Sequence, residues 1–290
     1  MKKTQHRIPL FATRAHYLPL LPLLFAFATA LSRADTPLAS EASTQADTEL
    51  AEKAYAIMAE SERRDEGWID NSADMEMIIR RADGREVVRN VRTKTLEGED
   101  GRDKGLLLFD TPLDVRGTVF LTHSFPLESD HQWIYLPSQN RVKRISSKRQ
   151  TGRFMGSEFT FEDMSAFSLE KNTYRYLGET ECGEPLQACH IIETRSKDKY
   201  SGYEKAVSYI DKAELRSWKT ELYSKRTGKH SKTITTQDYS QYLDRYWRPA
   251  RLVMHNERNG ASTELKWQNQ TFKTGLKRDD FRKSALERRQ

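Results

Sequence analysis

Residues 74–91 read DMEMIIRRADGREVVRNV, and the spacing of the apolar side chains in this stretch decides the class of fold. Met75, Met77 and Ile79 alternate with polar residues, which is typical of a β-strand that buries one of its faces. Asp83-Gly84 is a strong signal for a two-residue turn, and the apolar residues after it continue as a returning strand. The stretch therefore predicts an antiparallel β-hairpin.

Similar strand patterns continue through the rest of the chain, separated by turn signals rather than by helical patterns. They cover residues 106–109, 118–122, 133–136, 141–145, 173–177, 188–194, 206–210, 215–223, 232–239, 249–255 and 262–267. One amphipathic helix precedes them, with Asp47 as its predicted cap and an end near Gly67, after a flexible start at residues 35–47. Short helices are also predicted near residues 161–167 and 279–286.

Many short strands and few helices predict a mainly β fold of the α+β type. A sheet of this size must curl in order to bury its apolar face, and so few helices leave that face incompletely covered. We therefore expect a curved antiparallel half-barrel of about eleven strands, with helices capping an apolar cavity. Such a hollow interior is suited to an acyl chain.

The N-terminus has the three parts of a secretory signal peptide. Residues 1–16 contain four basic residues and no acid, residues 17–31 are almost wholly apolar, and Ser32 and Ala34 are the small residues that a signal peptidase recognises. We predict cleavage after Ala34, which leaves residues 35–290 as a single domain. The alternative is an uncleaved membrane anchor, although the apolar run is shorter than the roughly 20 residues of a spanning helix.

Net charge argues against a nucleic-acid-binding role. The 290-residue chain has a net charge of +6, but residues 1–34 contain five of the basic residues and none of the acids, so the remainder has a net charge of +1. A nucleic-acid-binding domain needs a basic surface of its own rather than a basic leader. We expect no nucleic-acid partner.

The two cysteines are consistent with export. Cys182 and Cys189 flank a Gly and a Pro that favour a turn, so a disulfide across a hairpin loop is predicted. The alternative is a metal site with the adjacent His190, but this set is incomplete for tetrahedral zinc.

Motifs of catalysis and of cofactor binding are absent from the sequence, which has no nucleophile elbow, zinc-protease motif, phosphate loop or dinucleotide fingerprint. His123-Ser124 and Asp130-His131 leave a hydrolase as a remote alternative. We expect no catalytic residue, metal or cofactor.

A basic run follows the strand at residues 133–136. Residues 132–156 contain six cations and no acid, namely Arg141, Lys143, Arg144, Lys148, Arg149 and Arg153. This density suits an anionic headgroup, a membrane surface or an acidic partner. An ordinary solvated strand whose edge is protected by Lys and Arg is the alternative.

Aromatic and Met residues crowd the stretch that follows, FMGSEFTFEDM at residues 154–164. These side chains suit an adaptable cavity lining, and they equally suit a packed core. Glu158, Glu162 and Asp163 are placed to pair with the preceding cations.

Three segments together resemble a known family: WIYLP at 133–137, RVKRI at 141–145 and FMGSEFTFEDM at 154–164. They resemble the signature of the bacterial outer-membrane lipoprotein-sorting-like proteins, the LolA-like family. The likeness extends to the leader and the N-terminal helix, and it covers nearly all of residues 35–290.

The resemblance implies a periplasmic protein whose half-barrel holds lipid or lipidated cargo and passes it to or from a membrane partner, often an RND or MMPL exporter. A non-catalytic accessory or sensor subunit of such an exporter is the alternative. The candidate lipid-binding residues are Trp133, Tyr135, Phe154, Met155, Phe159, Phe161 and Met164. The candidates for docking a headgroup, a partner or, transiently, a membrane surface are Arg141, Lys143, Arg144 and Arg153. Trp133/Tyr135 and Ile134/Leu136 are both apolar pairs, so the sequence leaves open which face of this hairpin lines the cavity.

Overall fold

The computed structural model describes residues 37–288, with side chains described for 44–286 apart from residue 100. The predicted signal peptide at residues 1–34 lies outside the described residues. Within residues 37–288, no helix combines the length and apolar character needed to cross a membrane.

The first element of the described residues is an α-helix, α1 (Pro37–Arg64). The prediction of a flexible start is wrong for residues 37–47, and so is the prediction that Asp47 caps the helix, because α1 starts at Pro37; residues 35 and 36 lie outside the described residues. Proline suits the first helical position, where its missing N–H is not needed, and the Ala-containing stretch after it supports helix. The Asp47 carboxylate instead accepts a hydrogen bond from Arg175 at 2.9 Å.

Thirteen strands follow, rather than about eleven. Their bounds are Asp70–Arg80 (β1), Glu86–Leu96 (β2), Lys104–Thr111 (β3), Val119–His123 (β4), His131–Leu136 (β5), Arg141–Ile145 (β6), Asn172–Cys182 (β7), Gln187–Ser196 (β8), Tyr203–Asp211 (β9), Ser217–Ser224 (β10), His230–Tyr242 (β11), Tyr246–Asn256 (β12) and Ser262–Phe272 (β13). All thirteen form one antiparallel sheet in the order β6-β5-β4-β3-β2-β1-β13-β12-β11-β10-β9-β8-β7. The sheet is an open, curved half-barrel.

The strand order makes β6 and β7, which are consecutive in the chain, the two opposite edges of the sheet. The connection between them must therefore span the width of the sheet, and it does so across one face. We call residues 146–165 of this connection the crossing segment, and we call the sheet face that it contacts the inner face. Sequence periodicity contains no signal for this long-range path.

The crossing segment fills the inner face of the N-terminal half of the sheet. Phe154 and Phe159 are buried in one cluster with side chains from several strands, including Met77, Phe120 and Leu265. The Phe154 ring centroid lies 4.9 Å from that of Phe120. The segment therefore forms the core of this half of the fold.

The outer face of the same strands is covered by residues 273–288. Phe281 and Leu286 are buried there against Leu106, Leu121 and Tyr135. The short helices predicted near 161–167 and 279–286 are 3₁₀ turns, at Glu162–Met164, Arg278–Phe281 and Lys283–Arg288.

Helix α1 covers the other end of the inner face, over β7 to β9. Ala54 is fully buried in a cluster with Tyr174, Tyr176, Ile192 and Ile210. The strand register shows that α1 and the crossing segment lie on the same face of the sheet. Ile192, in the α1 cluster, is connected to Ile234, which packs against the crossing-segment cluster, by a row of directly opposed residues. The pairs in this row are Ile192–Ser208, Ser208–Thr220 and Thr220–Ile234. Directly opposed residues in neighbouring strands point to the same side of a sheet.

The predicted disulfide between Cys182 and Cys189 is confirmed. It joins the end of β7 to the start of β8, with Cα atoms 5.8 Å apart. The bond closes the hairpin that the Gly-Pro turn signal predicted.

Candidate functional site

A cavity of about 1510 Å³ lies between α1 and the inner face of the sheet. This volume exceeds the roughly 300–1,000 Å³ of ordinary small-molecule pockets. The sheet side of its lining includes Ala206, Ser208 and Ile210 of β9 and Thr220 of β10. Ala206, Ser208 and Thr220 are small or short, so the sheet and the helix stay apart beside them, whereas Ile210 packs against α1.

The apolar part of the cavity lies around the contact between α1 and β9. Met58 of α1, Leu169 and Leu215 line it together with Ile210. Leu127 and Phe167 also line the cavity, yet they are 80% and 51% exposed. Because these two large apolar residues line the cavity and are also exposed, they mark its opening to solvent.

The far end of the cavity is lined by aromatic rings and an arginine. The guanidinium of Arg216 lies 4.6 Å from the centroid of the Trp247 ring, and its Nε bonds the fully buried Asp211 at 2.8 Å. Tyr239, which also lines the cavity, donates to the backbone oxygen of Ser217 at 2.6 Å, and burial raises the pKa of Tyr239 to about 12. This end is polar, rigid and internally paired.

The loop between β2 and β3 forms one rim of the cavity. Glu97 accepts hydrogen bonds from the backbone N–H groups of Gly67 and Ile69, both at 2.6 Å, which fixes the loop against the start of β1. Asp103 lies in the same rim, and burial raises its pKa. Local sequence patterns do not signal this rim, because the loop's proximity to the end of α1 is a tertiary feature.

Five of the seven predicted lipid-binding residues lie in the crossing segment. Phe154 and Phe159 are buried core residues, while Met155, Phe161 and Met164 pack against the same cluster at partial exposure. None of the five is in the lining of the cavity beneath α1. Their positions therefore match the alternative of a packed core at Phe154 and Phe159.

The other two predicted lipid-binding residues, Trp133 and Tyr135, lie on the outer face. They belong to the cluster that Phe281 and Leu286 cover, whereas Ile134 faces the crossing segment. The structure thus places these two residues on the opposite face of the sheet from the crossing segment. The pairs Trp133/Tyr135 and Ile134/Leu136 are both apolar because β5 is covered on both of its faces.

The predicted docking cations divide into two kinds. Arg141, Lys143 and Arg144 lie on the edge strand β6, and Arg141 and Arg144 are exposed. Arg153 is instead committed to an internal contact, since its guanidinium pairs with the buried carboxylate of Glu158 and bonds the backbone oxygen of Ser157 at 2.9 Å.

The carboxylates of the crossing segment attach it to the sheet. Of the three that were predicted to pair with the preceding cations, Glu158 does so, with Arg153, whereas Asp163 faces Lys232 of β11 and Glu162 accepts from the Gly202 N–H at 2.8 Å. Glu158 accepts from Asn256 at 2.7 Å, and its backbone N–H donates to Thr263 at 2.9 Å. Burial raises the pKa of Asp163, which accepts from Tyr203 at 3.1 Å. Polar contacts to β9, β12 and β13 thus hold the crossing segment in place, while its apolar side chains pack against the inner face of the sheet.

The residues of the remote hydrolase alternative do not assemble into a triad. Ser124 Oγ lies 3.3 Å from the Asp130 carboxylate, and His123 Nε2 lies 2.7 Å from the backbone oxygen of Phe281. Burial lowers the pKa of His123. Among the residues whose side chains are described, no group of three or more His, Cys, Asp or Glu residues is arranged to hold a metal ion.

Comparison with known proteins identifies the fold and the family. A family model described as an uncharacterized protein matches residues 101–288, and no curated protein matches the chain. A domain from Vibrio parahaemolyticus, described as an outer membrane lipoprotein-sorting protein, is 46% identical with a TM-score of 0.79, over 82% of this chain and 99% of that chain.

Two further solved structures share the architecture. A DUF1329 family protein from Desulfovibrio piger ATCC 29098 is 26% identical with a TM-score of 0.76, over 82% of this chain and 99% of that chain. A LolA superfamily protein from Nitrosomonas europaea is 17% identical with a TM-score of 0.64, over 80% and 98% of the two chains, and shows likeness of fold alone. The chain therefore belongs to the family of outer-membrane lipoprotein-sorting-like proteins with the LolA-like fold.

Proposed function

We propose that this protein is a periplasmic carrier that binds a lipid, or a lipidated or otherwise hydrophobic cargo, in the cavity beneath α1. The cavity of about 1510 Å³, with its apolar opening at Leu127 and Phe167, is the observation that carries the proposal. An apolar chain gains about 0.8 kcal/mol for each CH₂ group that it buries, so a hollow of this size binds a long chain without any covalent step. The predicted leader at residues 1–34 supports export.

Reversible release follows from the mixed character of the lining. The apolar side chains occupy one part of the cavity, while Glu62, Asp103 and Arg216 place charge around the rest. A chain in this space is shielded from water but is held by few directional contacts. We propose that the cargo is handed to or from a membrane partner of higher affinity, with an RND or MMPL exporter as the partner that the family resemblance implies.

The proposal is tested by filling the cavity from β9, with the free energy of unfolding measured alongside uptake, because Ala206 also packs against the crossing-segment cluster. Ala206→Phe places a ring into the cavity from β9, and Ala188→Phe introduces the same ring at an exposed position of β8. We expect Ala206→Phe to weaken uptake of a fluorescent fatty acid by about tenfold or more, because the added ring occupies the space of several CH₂ groups. Ala188→Phe should bind like the unmodified protein. Equal binding by the two variants would place the cargo elsewhere.

Lipid contact at the seven residues predicted from the sequence stays a prediction. Met155 gives the most direct test of this prediction, because its side chain in the crossing segment is only partly buried. If cargo reaches the segment, Met155→Trp weakens lipid uptake while the free energy of unfolding changes little. A large loss of stability with unchanged uptake would assign Met155 to the core alone.

A second candidate function is that of a non-catalytic accessory or sensor subunit of an exporter. One observation favours it: Phe154 and Phe159 fill the inner face of the N-terminal half, so the half-barrel is only partly hollow. A subunit of this kind would bind its exporter with the cavity empty. Failure of the purified protein to take up any lipid, together with stable complex formation, would favour this candidate.

A further inference from the structure

The edge strands β6 and β7 are each covered on one face of the sheet. Residues 273–288 cover the outer face of β6, where Val142 packs against the cluster of Phe281 and Leu286, and α1 covers the inner face of β7. β7 lies under α1, where the Tyr55 and Tyr174 ring centroids are 6.1 Å apart, and its Arg175 is paired with Asp47. β6 pairs with β5 on one side only and ends the sheet on the other. An edge strand presents unpaired backbone N–H and C=O groups that can accept another extended chain.

The charges on and after β6 all have the same sign. Five cations fall within residues 141–149, namely Arg141, Lys143, Arg144, Lys148 and Arg149. In the part of the chain whose side chains are described, none of the five takes part in a salt bridge, whereas most cations elsewhere on the sheet do. This is an unusual concentration for a chain whose net charge without residues 1–34 is +1.

The cations project on both sides of the edge. Arg141 pairs with Leu136 and Lys143 with Ile134, so these two share the inner side, whereas Arg144 pairs with Trp133 on the outer side. A strand added beside β6 would therefore meet positive charge on both of its faces. The same charges repel the β6 edge of a second copy, so they disfavour self-pairing while favouring a strand of opposite charge.

We propose that β6 is a docking edge for an acidic, extended segment of a partner protein, which adds to the sheet as a fourteenth strand. Main-chain hydrogen bonds along the five residues of β6 supply the attachment, and the flanking cations select acidic side chains. The inference goes beyond the carrier proposal, since no residue of β6 lines the cavity. The carrier proposal and the docking proposal are therefore independent, and an experiment that contradicts one of them does not contradict the other.

Fluorescence anisotropy with a labelled peptide of about ten residues, alternating Glu and Thr, tests the proposal on the purified protein. We expect binding that weakens with added salt, and an Arg141→Glu/Arg144→Glu variant that binds about tenfold more weakly or worse. Arg226→Glu/Lys229→Glu, in the exposed turn after β10, is the matched control and should bind as the unmodified protein does. Lys148→Glu/Arg149→Glu, outside the strand, repeats the test if the first variant fails to fold.

A second peptide separates strand addition from simple charge attraction. N-methylation of alternate amides removes the donors that pair with β6 but leaves the charge unchanged, so we expect it to abolish most of the binding. Equal binding of the methylated peptide, or equal binding by the charge-reversed variants, would overturn the proposal. It would also be overturned if the protein bound vesicles containing about 30 mol% phosphatidylglycerol but not the peptide, since the basic edge would then serve a membrane surface.

Discussion

The Nζ atom of Lys232, on β11, lies 2.7 Å from the backbone oxygen of Glu158 in the crossing segment. Lys232 also lies 3.1 Å from the hydroxyl of Tyr203 and faces Asp163. Burial lowers the pKa of Lys232, while the nearby carboxylates oppose that change. One partly buried cation therefore ties the segment that fills the N-terminal half of the half-barrel to the strands of the C-terminal half.

Replacing this cation should loosen the crossing segment. We expect Lys232→Met to lower the free energy of unfolding by about 1.5–3 kcal/mol, the range for a hydrogen bond made by a charged group. Urea denaturation of this variant and of Lys229→Met, at an exposed turn position, measures the difference. Equal stability of the two variants would show that the contact of Lys232 with Glu158 does not hold the segment.

Phe154 should behave as a core residue. It is fully buried against Phe109 and Phe120, so we expect Phe154→Ala to cost about 3–5 kcal/mol of the free energy of unfolding. Phe167→Ala, at the exposed opening of the cavity, should cost under about 1 kcal/mol. Chemical denaturation compares the two, and a small cost at Phe154 would contradict a packed N-terminal half.

Glu62 should make stability depend on pH in a defined direction. Burial raises the pKa of Glu62 in the folded protein, whereas the unfolded chain titrates near the ordinary value of about 4.3. Between these two values the folded state binds more protons, so the contribution of Glu62 to stability falls as pH rises. Glu62→Gln should therefore gain stability relative to the unmodified protein from pH 4 to pH 7.

The control for Glu62 is Glu52→Gln, an exposed position on the same helix. Urea midpoints at several pH values should show no such trend for this variant. A Glu62→Gln difference that is constant with pH would show that the carboxyl of Glu62 titrates alike in the folded and unfolded states.

The disulfide should contribute to stability mainly through the unfolded chain. For the short loop between Cys182 and Cys189, loss of the bond is expected to cost about 2–3 kcal/mol. Denaturation of a Cys182→Ser/Cys189→Ser variant measures this cost. Fatty-acid uptake should persist, because neither cysteine lines the cavity; loss of uptake in a folded variant would contradict that separation.

Local patterns in the sequence predicted much of the fold. Alternation at Met75, Met77 and Ile79 and the turn at Asp83-Gly84 correspond to β1, β2 and their hairpin, and the Cys spacing corresponds to a disulfide across a hairpin. Each of these features is set by residues near one another in the chain. The start of α1 was misplaced because Asp47 fits a cap by residue type, although helix continues before it.

The candidate site was harder to predict because it depends on contacts that are distant in sequence. Trp133 and Ile134 are adjacent apolar residues, and only the placement of residues 273–288 on the outer face decides which of them faces inward. The crossing segment belongs to the connection between β6 and β7, the two opposite edges of the sheet. It therefore passes over the inner face, and its apolar side chains fill the N-terminal half of that face. Ala206 and Ser208, two positions apart on β9, are a local signal of the cavity, since small inward residues leave room beneath a helix.

The carrier proposal is tested most directly by native mass spectrometry, with lipid extraction, on protein purified from the periplasm without detergent. We expect a bound lipid in stoichiometric amount, and a much lower occupancy for Ala206→Phe than for Ala188→Phe. A mass equal to that of the polypeptide alone, unchanged after lipids are added, would contradict it.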